Sequence, residues 1–300
     1  MTAETTGSTG VAQVGGLEIA YETFGDPAAE PLLLVMGLGG PMTWWDSGFC
    51  TELAGAGFHV IRYDNRDAGR STKIRARTGK SAVVKAYLGL PVTPPYTISD
   101  LAADGMGLLT ALGIERAHVV GMSMGGMIAQ TMAIEHPDRV LSLTSIMSTT
   151  GKRLVGWQHP KVLAAILRNK PGEEAYLDGS ERMWALIQSP AFVDAPDSIR
   201  KRAQDTWAYG VSQSGTGRQT LAILTQPDRT AALANVTAPT LVIHGLADKM
   251  VHVTGGRATS RAIPGSELLL IKGMGHDLPE PLWPTFVRAI RRNADRAAKR

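Results

Sequence analysis

Short, almost entirely apolar runs recur along the chain and predict the strands of a buried sheet. Each run is rich in valine, leucine and isoleucine and ends in a polar or glycine-rich turn. Because the apolar residues continue without alternation, we expect both faces of these strands to be covered, as in a parallel sheet. The runs are residues 32–36, 58–63, 117–121, 141–146, 240–244 and 267–271.

Helical patterns lie between these runs. The clearest is the amphipathic stretch 98–112, which has Thr97 or Ser99 as a candidate N-cap and Gly113 at its C-terminal end. Others cover residues 46–56, 125–136 and 280–298. Strands that alternate with helices predict an α/β fold with a doubly wound, mostly parallel sheet.

The alternation stops between about residue 150 and residue 235. We predict a helical cap over residues 151–235, inserted between two strands of a core that consists of residues 1–150 and 236–300. A second irregular stretch, residues 73–96, is rich in glycine and proline and predicts a long loop near the same edge of the sheet. Within the predicted cap, the sequence favours helices at 158–169, 173–187, 197–211 and 217–225 and no convincing strand. The residues that interrupt these helices are Pro171, Pro190, Pro196 and Gly215.

The composition is that of a globular protein, with 44% hydrophobic and 19% charged residues. The net charge of +4 arises at the C-terminus. Six basic residues and one acidic residue occupy the last thirteen positions, and the rest holds 25 basic and 26 acidic residues, a net charge of −1. We therefore expect a solvated helix end and no nucleic-acid partner.

Three absences suggest a cytoplasmic protein. The single cysteine, Cys50, excludes an intrachain disulfide and fits a reducing compartment, and its apolar neighbours predict that it is buried. The first residues lack the charged start and apolar run of a signal peptide. No run of eighteen apolar residues occurs, so we expect no membrane span. The oligomeric state leaves no signal in the sequence.

The sequence GMSMG at residues 121–125 matches the pattern G-x-S-x-G. A predicted strand precedes it and a predicted helix follows it, which is the context of a nucleophile elbow. On such a turn Ser123 points out of the sheet edge at the helix N-terminus, so we predict that it is a nucleophile. The alternative is a small residue in a crowded crossover.

A serine nucleophile needs a base that is oriented by an acid, in the chain order Ser, Asp, His. Asp248 follows the strand that ends in LVIHGLAD, whereas no carboxylate follows the strand at 141–146. His276, in KGMGHDLPE, lies between the last strand and the last helix. We predict these two as acid and base. The other histidines fall in strands, at a helix end, in the cap or too soon after Asp248: they are His59, His118, His244, His136, His159 and His252.

Acyl transfer also requires amide donors for the developing oxyanion. The Met124 amide, which follows the nucleophile at a helix start, is one candidate. The Leu38 amide is the other, because Gly37 and Gly39 allow that loop to turn inward. Candidate substrate contacts are apolar residues of the elbow and cap: Met122, Trp157, Trp184 and Trp207. Each could instead pack in the core. The same two interpretations apply to Trp44 and Trp45.

Glycine clusters elsewhere do not match cofactor motifs. GLGGPM lacks the third glycine of a dinucleotide fingerprint, and TGKS at 78–81 has Ile74 where a phosphate loop needs its first glycine. Neither H-E-x-x-H nor a cysteine pair occurs for metal binding. The sequence therefore predicts neither a metal nor a cofactor.

From about residue 15 to residue 292, these features together resemble the α/β-hydrolase superfamily. YDNRDAGRST at 63–72 is similar to the family's D-x-R-G-x-G-x-S turn, with Asp67 where glycine usually stands. The phrases HPDRV at 136–140 and PTLVIHGLAD at 239–248 also match the family.

One departure narrows the resemblance. The loop after the first central strand usually begins His-Gly, and here it begins Met36-Gly37, as in the aclacinomycin methylesterase type of serine esterase. The resemblance implies a carboxylic ester hydrolase, of the carboxylesterase or lipase kind, with a small-molecule substrate. Related proteins with the same triad also cleave thioesters, lactones or carbon–carbon bonds, perform perhydrolysis, or only sense small ligands. Fold and triad do not choose between these activities.

Overall fold

Eight strands form one mostly parallel sheet in the computed structural model, which describes residues 8–167, 172–193 and 198–298. The strands are β1 (Ser8–Val14), β2 (Leu17–Phe24), β3 (Glu30–Val35), β4 (Phe58–Tyr63), β5 (Ala117–Met122), β6 (Val140–Ile146), β7 (Thr240–Gly245) and β8 (Glu267–Ile271). Their order in the sheet is β1-β2-β4-β3-β5-β6-β7-β8. β2 is antiparallel to both its neighbours, and all other neighbouring strands are parallel.

Helices cover both faces of this sheet, which confirms the doubly wound α/β prediction. They are α1 (Ser47–Gly55), α2 (Lys80–Tyr87), α3 (Ile98–Ala111), α4 (Met124–Glu135), α5 (Pro160–Leu167), α6 (Glu173–Ile187), α7 (Ser198–Gly210), α8 (Gln213–Leu224), α9 (Thr230–Leu233), α10 (Thr254–Ala262) and α11 (Trp283–Asp295). Alternate residues of β3 enter two separate cores, since Leu32 and Leu34 pack with α1 and α11 while Leu33 and Val35 pack with α3 and α4. No described helix is both long and apolar enough to cross a membrane.

The N-terminus of α3 shows how local sequence sets a helix start. Of the two candidate N-caps, Thr97 serves: its hydroxyl accepts from the Asp100 amide at 3.2 Å. The Asp100 carboxylate in turn accepts from the Thr97 amide at 2.7 Å. This capping box satisfies two amides that would otherwise lack acceptors.

The connection from β6 to β7 carries helices α5 to α9 and, within its described residues, no strand. α8 begins at Gln213, earlier than predicted, because the Ser212 side chain caps it by accepting from the Gly215 amide. Gly215 is therefore inside the helix and does not break it. The predicted helix end at 168–169 and the breaks at Pro171 and Pro196 lie outside the described residues. The cap boundaries at 151 and 235 stay a prediction.

Two expectations about local structure were wrong. Residues 73–96 are not one loop, because α2 fits between Gly79, its N-cap, and Gly89, which has a φ of +77° just after the helix. The run 267–271 is not covered on both faces, because β8 is the last strand of the sheet and Leu268 is exposed. An edge strand has one neighbour fewer to bury its side chains.

Besides α2, the strands β1 and β2, the short helix α9 and the helix α10 were absent from the prediction. β1 and β2 form an antiparallel hairpin at the other edge, where β1 is half exposed and has few apolar residues in succession. α10 has a strongly polar sequence, TGGRATSRA, in which only small residues are buried. These segments contain neither a continuous apolar run nor apolar residues at regular helical spacing, and the prediction relied on those two signals.

We expect Gly125→Ala to unfold the protein or destabilise it by more than about 2 kcal/mol, because overpacking costs most where backbone must move. A Cβ at Gly125 would lie 2.0 Å from the Val35 carbonyl oxygen, where α4 crosses β3. The control is Gly55→Ala in α1, where a Cβ meets nothing within 4 Å. Denaturant unfolding measures both variants, and equal stability of the two would contradict this account.

Candidate active site

The crossover from β5 to α4 holds Ser123 in an unusual backbone conformation. Its φ of 57° and ψ of −119° are rare for a residue with a side chain. The Ser123 amide donates to Ile146 O at 2.9 Å, and the Ser148 hydroxyl donates to Ser123 O at 2.8 Å. A Cβ at Gly121 would collide with the Gly125 carbonyl. The turn is therefore as tight as the sequence pattern indicates.

The structure brings Ser123, His276 and Asp248 together from three distant parts of the chain. The Ser123 Oγ lies 3.0 Å from His276 Nε2, and His276 Nδ1 lies 2.7 Å from Asp248 Oδ2. His276 and Asp248 are both 5% exposed. With Nδ1–H donating to the carboxylate, Nε2 is free to accept the serine proton. This is the arrangement that activates a serine hydroxyl for attack on a carbonyl.

Asp248 is held as a carboxylate. Burial by itself raises its pKa, but the charge of His276 and hydrogen bonds from His244 and His276 outweigh it and lower the pKa to about 2. The other carboxylate oxygen, Oδ1, accepts from the amides of Met250 and Val251, each at 2.8 Å. These bonds fix the orientation of the acid and leave Oδ2 for the histidines.

His244 is a residue of the candidate site that the sequence analysis did not place there. It is fully buried on β7, and its Nε2 donates to Val251 O at 2.8 Å and lies 3.4 Å from Asp248 Oδ2. Since a carbonyl can only accept, Nε2 carries the hydrogen. His244 and His276 thus both lie next to the same carboxylate oxygen of Asp248. Its position four residues before the acid was a signal, but it was interpreted only as a strand residue.

The loop after β3 lies beside Ser123 and contains the predicted oxyanion donor. A Cβ at Gly37 would be 3.1 Å from the Ser123 Cβ, so this loop passes directly over the nucleophile. Two amides of the loop are engaged elsewhere: Gly39 N donates to Gln219 Oε1 at 2.8 Å, and Gly40 N donates to Gly37 O at 3.3 Å. Neither bond involves Leu38, whose amide stays the prediction for the oxyanion together with Met124 at the start of α4.

Gln219, on α8, is a second residue that was missed. Its side chain is fully buried, and besides accepting from Gly39 it donates through Nε2 to Arg66 O at 2.8 Å. A single glutamine therefore joins the inserted helices to the oxyanion loop and to the turn after β4. No local sequence signal marks it, because its partners lie about 150 and 180 residues away along the chain.

The inserted segment also holds the histidine loop. The His276 amide donates to Ile187 O at 2.7 Å, at the end of α6. The buried Ser189 hydroxyl accepts from the Gly275 amide at 2.8 Å and donates to the Asp277 carboxylate. Asp277, adjacent to the base, thus fixes the loop by binding Ser189.

The predicted substrate contacts lie in different surroundings. Met122 is buried in the apolar core beside α1 and α11. Trp157 is exposed and stacks on His252 with ring centres 4.5 Å apart. Trp184 packs edge-on against Trp44, which follows the oxyanion loop, at 5.7 Å. Trp207 contacts Tyr176 at 5.4 Å. Their role in substrate binding stays a prediction.

Cys50 provides no competing nucleophile. It is fully buried against the Trp45 carbonyl, and burial raises the pKa of its thiol to about 12. A thiol of this kind stays protonated near neutral pH. Among the described residues, no three His, Cys, Asp or Glu side chains cluster in a way that could hold a metal ion.

Comparison with known proteins agrees with this architecture. Residues 30–280 match the family described as the alpha/beta hydrolase fold. The chain belongs to the α/β-hydrolase family. It is 33% identical over 295 residues to rhodomycin D methylesterase DauP of Streptomyces sp. strain C5, covering 90% of this chain and 92% of that protein. Rhodomycin D methylesterase DnrP of Streptomyces peucetius is 30% identical with the same coverage.

Solved structures show the same fold at lower identity. The enol-lactonase from Burkholderia xenovorans LB400 superimposes with a TM-score of 0.75 at 22% identity, covering 95% of this chain and all of that one. The methylesterase relatives confirm the resemblance inferred from the Met36-Gly37 loop. The family match confirms the α/β-hydrolase prediction.

Asp248→Asn tests the electrostatic role of the acid. Above pH about 4, the usual pKa of an unfolded aspartate, we expect wild type to exceed the variant in stability by a constant amount. Because folding lowers the pKa of Asp248 to about 2, this advantage is lost as the pH falls from about 4 through 2. Denaturant titrations across pH measure it, and a difference that persists unchanged at the acid end would contradict the assignment.

Gln219→Met removes both hydrogen bonds and keeps the side-chain volume. We expect kcat to fall roughly tenfold or more, since a misplaced oxyanion donor costs up to about 10²–10³ in rate, with a smaller change in KM. Affinity for a trifluoromethyl ketone, which forms a tetrahedral oxyanion, should fall in parallel with kcat. Gln158→Met, an exposed cap position, is the control. A loss of stability with unchanged kcat would show a purely structural role.

Proposed function

We propose that the chain is a carboxylic ester hydrolase that works through an acyl-enzyme on Ser123. The observation that carries this proposal is the continuous hydrogen-bonded chain from Ser123 Oγ through His276 to Asp248, with separations of 3.0 Å and 2.7 Å. Methylesterase relatives at 30–33% identity over nine-tenths of the chain support the ester class. The reaction requires no metal or cofactor.

In the first half-reaction, Ser123 Oγ attacks the ester carbonyl carbon while its proton passes to His276 Nε2. The carbonyl oxygen becomes an oxyanion, which the Leu38 and Met124 amides stabilise by hydrogen bonds. Asp248 stabilises the imidazolium through Nδ1–H without taking its proton. The tetrahedral intermediate collapses when His276 gives the proton to the leaving alkoxide, so that an alcohol departs and an acyl-serine remains.

The second half-reaction repeats these roles with water. His276 takes a proton from a water molecule, the resulting hydroxide attacks the acyl carbonyl, and the same two amides hold the second oxyanion. The proton then returns from His276 to Ser123 Oγ, which leaves as the carboxylic acid is released. Each group ends in its starting state.

The substrate class that we propose is the methyl ester of a small molecule with an extended apolar or aromatic body. The name shared by the two relatives is methylesterase. Aromatic side chains of the insertion, Trp184 and Trp207, together with Trp44, offer flat surfaces for such a body. Alternative activities for the same triad are hydrolysis of thioesters, lactones or carbon–carbon bonds, and perhydrolysis. The non-enzymatic alternative is a protein that senses a small ligand.

Ser123→Ala and His276→Ala should each lower kcat for a p-nitrophenyl ester by about 10⁴–10⁶, as expected for triad residues that act as a unit. Both should also lose labelling by a fluorophosphonate. Ser81→Ala, at an exposed position of α2, is the matched control and should be unchanged. Retained turnover in Ser123→Ala would exclude the mechanism. Wild type that stops after about one event per molecule would indicate a sensor.

A panel of methyl, ethyl and butyl esters with aromatic and with linear acyl groups tests the substrate class. We expect the highest kcat/KM for aromatic methyl esters, and a loss of that preference in Trp184→Ala. A preference for thioesters or lactones over every ester would overturn the proposed class while leaving the triad intact.

A further inference from the structure

A cluster of exposed apolar side chains lies at the end of α2, outside the site described above. Val84, Tyr87 and Leu88 are spaced three and four residues apart, so they share one face of the helix and its C-terminal cap. All three are exposed, as is Leu90 shortly after the helix. Leu154, in the connection that follows β6, is 90% exposed. Half of the exposed large apolar side chains in the described part of the chain belong to this cluster.

Two contacts place these residues at the same end of α2. The Arg153 guanidinium donates to Tyr87 O at 3.4 Å and lies against Gly89 in the space that a Cβ would fill. This contact ties the segment that contains Leu154 to the end of α2. The Leu90 amide donates to Lys85 O at 2.9 Å, which folds the chain back against the helix. The α2 surface, as we call it, consists of Val84, Lys85, Tyr87, Leu88, Leu90, Arg153 and Leu154.

The chain segment that contains α2 carries charge of one sign only. Residues 68–99 contain six basic residues and no acidic residue, whereas the whole chain is nearly balanced at +4. Arg75, Arg77, Lys85 and Arg153 are exposed, and in the described ranges none of them forms an ion pair. Exposed leucines beside unpaired basic side chains fit a partner that is both apolar and anionic.

We propose that the α2 surface docks the protein onto a lipid bilayer that contains anionic headgroups. Leu88 and Leu154 project from the surface, as a side chain that is 64% or 90% exposed must, and so can enter the acyl region. Tyr87 supplies a ring with a polar end, which suits the headgroup level. Lys85 and Arg153 then meet the negative surface charge.

The same charges argue against a second copy of the chain as the occupant. A two-fold interface places each surface against itself, so Lys85 and Arg153 would face their own copies with no carboxylate among them. An acidic protein would satisfy the charge. Leucines that project individually from a helix end would require a matching pocket for each on a protein partner. A bilayer requires no such pockets and therefore fits this surface better.

Co-sedimentation of the full chain with vesicles tests the proposal independently of catalysis, and Ser123→Ala can be used so that no ester is hydrolysed. One vesicle is phosphatidylcholine alone, and the other has equal parts of phosphatidylcholine and phosphatidylglycerol. We expect binding to the anionic vesicle, little to the neutral one, and weaker binding as salt rises. Leu88→Ser with Leu154→Ser should abolish binding, and Lys85→Glu should weaken it at least several-fold.

Matched controls lie elsewhere on the surface. Val11→Ser replaces an exposed apolar residue of β1, and Arg116→Glu makes the same charge change as Lys85→Glu at another exposed position. Both should bind like wild type, and thermal melting should show every variant folded. Absence of binding to anionic vesicles, or equal loss in the controls, would overturn the proposal. So would a dimer in light scattering that Leu88→Ser dissociates, since that result identifies a second copy as the occupant.

Discussion

The backbone of Ser123 is the constraint on which the site depends. A residue with a side chain at φ 57° and ψ −119° costs about 1–3 kcal/mol and persists only where its surroundings enforce it. Here the enforcement comes from hydrogen bonds with Ile146, at the end of β6, and with Ser148, just after it, and from two glycines that let α4 approach β3 and β5 closely. A relaxed turn would direct the side chain away from His276. The packing of the core around the elbow thus fixes the position of the Ser123 hydroxyl group.

The inserted segment holds two loops of the candidate site in place. Gln219 binds the oxyanion loop, and Ile187 and Ser189 hold the histidine loop. α8 is itself anchored, because the Arg218 guanidinium makes two hydrogen bonds, at 2.6 and 2.7 Å, with the buried Asp67 carboxylate. Asp67 has a φ of 72° at a position where the family usually has glycine. The strain of a side chain in that conformation is offset by the ion pair that it gains.

The sequence was most informative where a short stretch determines its own structure. The strands β3 to β7, the helices α3 and α6, and the order of Ser123, Asp248 and His276 could all be predicted from local patterns. β1, β2 and α10 could not, because they lie at edges or bury only small residues and so lack a strong apolar period. Gln219 and His244 were missed for another reason. Their contacts arise only in the folded chain: no local pattern marks Gln219, and the spacing of His244 four residues before Asp248 does not by itself show that the two side chains meet.

The chemistry and the selectivity of the site come from different parts of the molecule. Ser123, Asp248 and His276 follow strands β5, β7 and β8, where the sheet geometry fixes their relative positions. The aromatic side chains that we propose for substrate binding, Trp184 and Trp207, come from α6 and α7 of the insertion. Strand ends can change little without losing the triad, whereas helices can exchange side chains and keep their packing. Membership of the family therefore does not determine the bond that is cleaved, and we infer the substrate from the insertion.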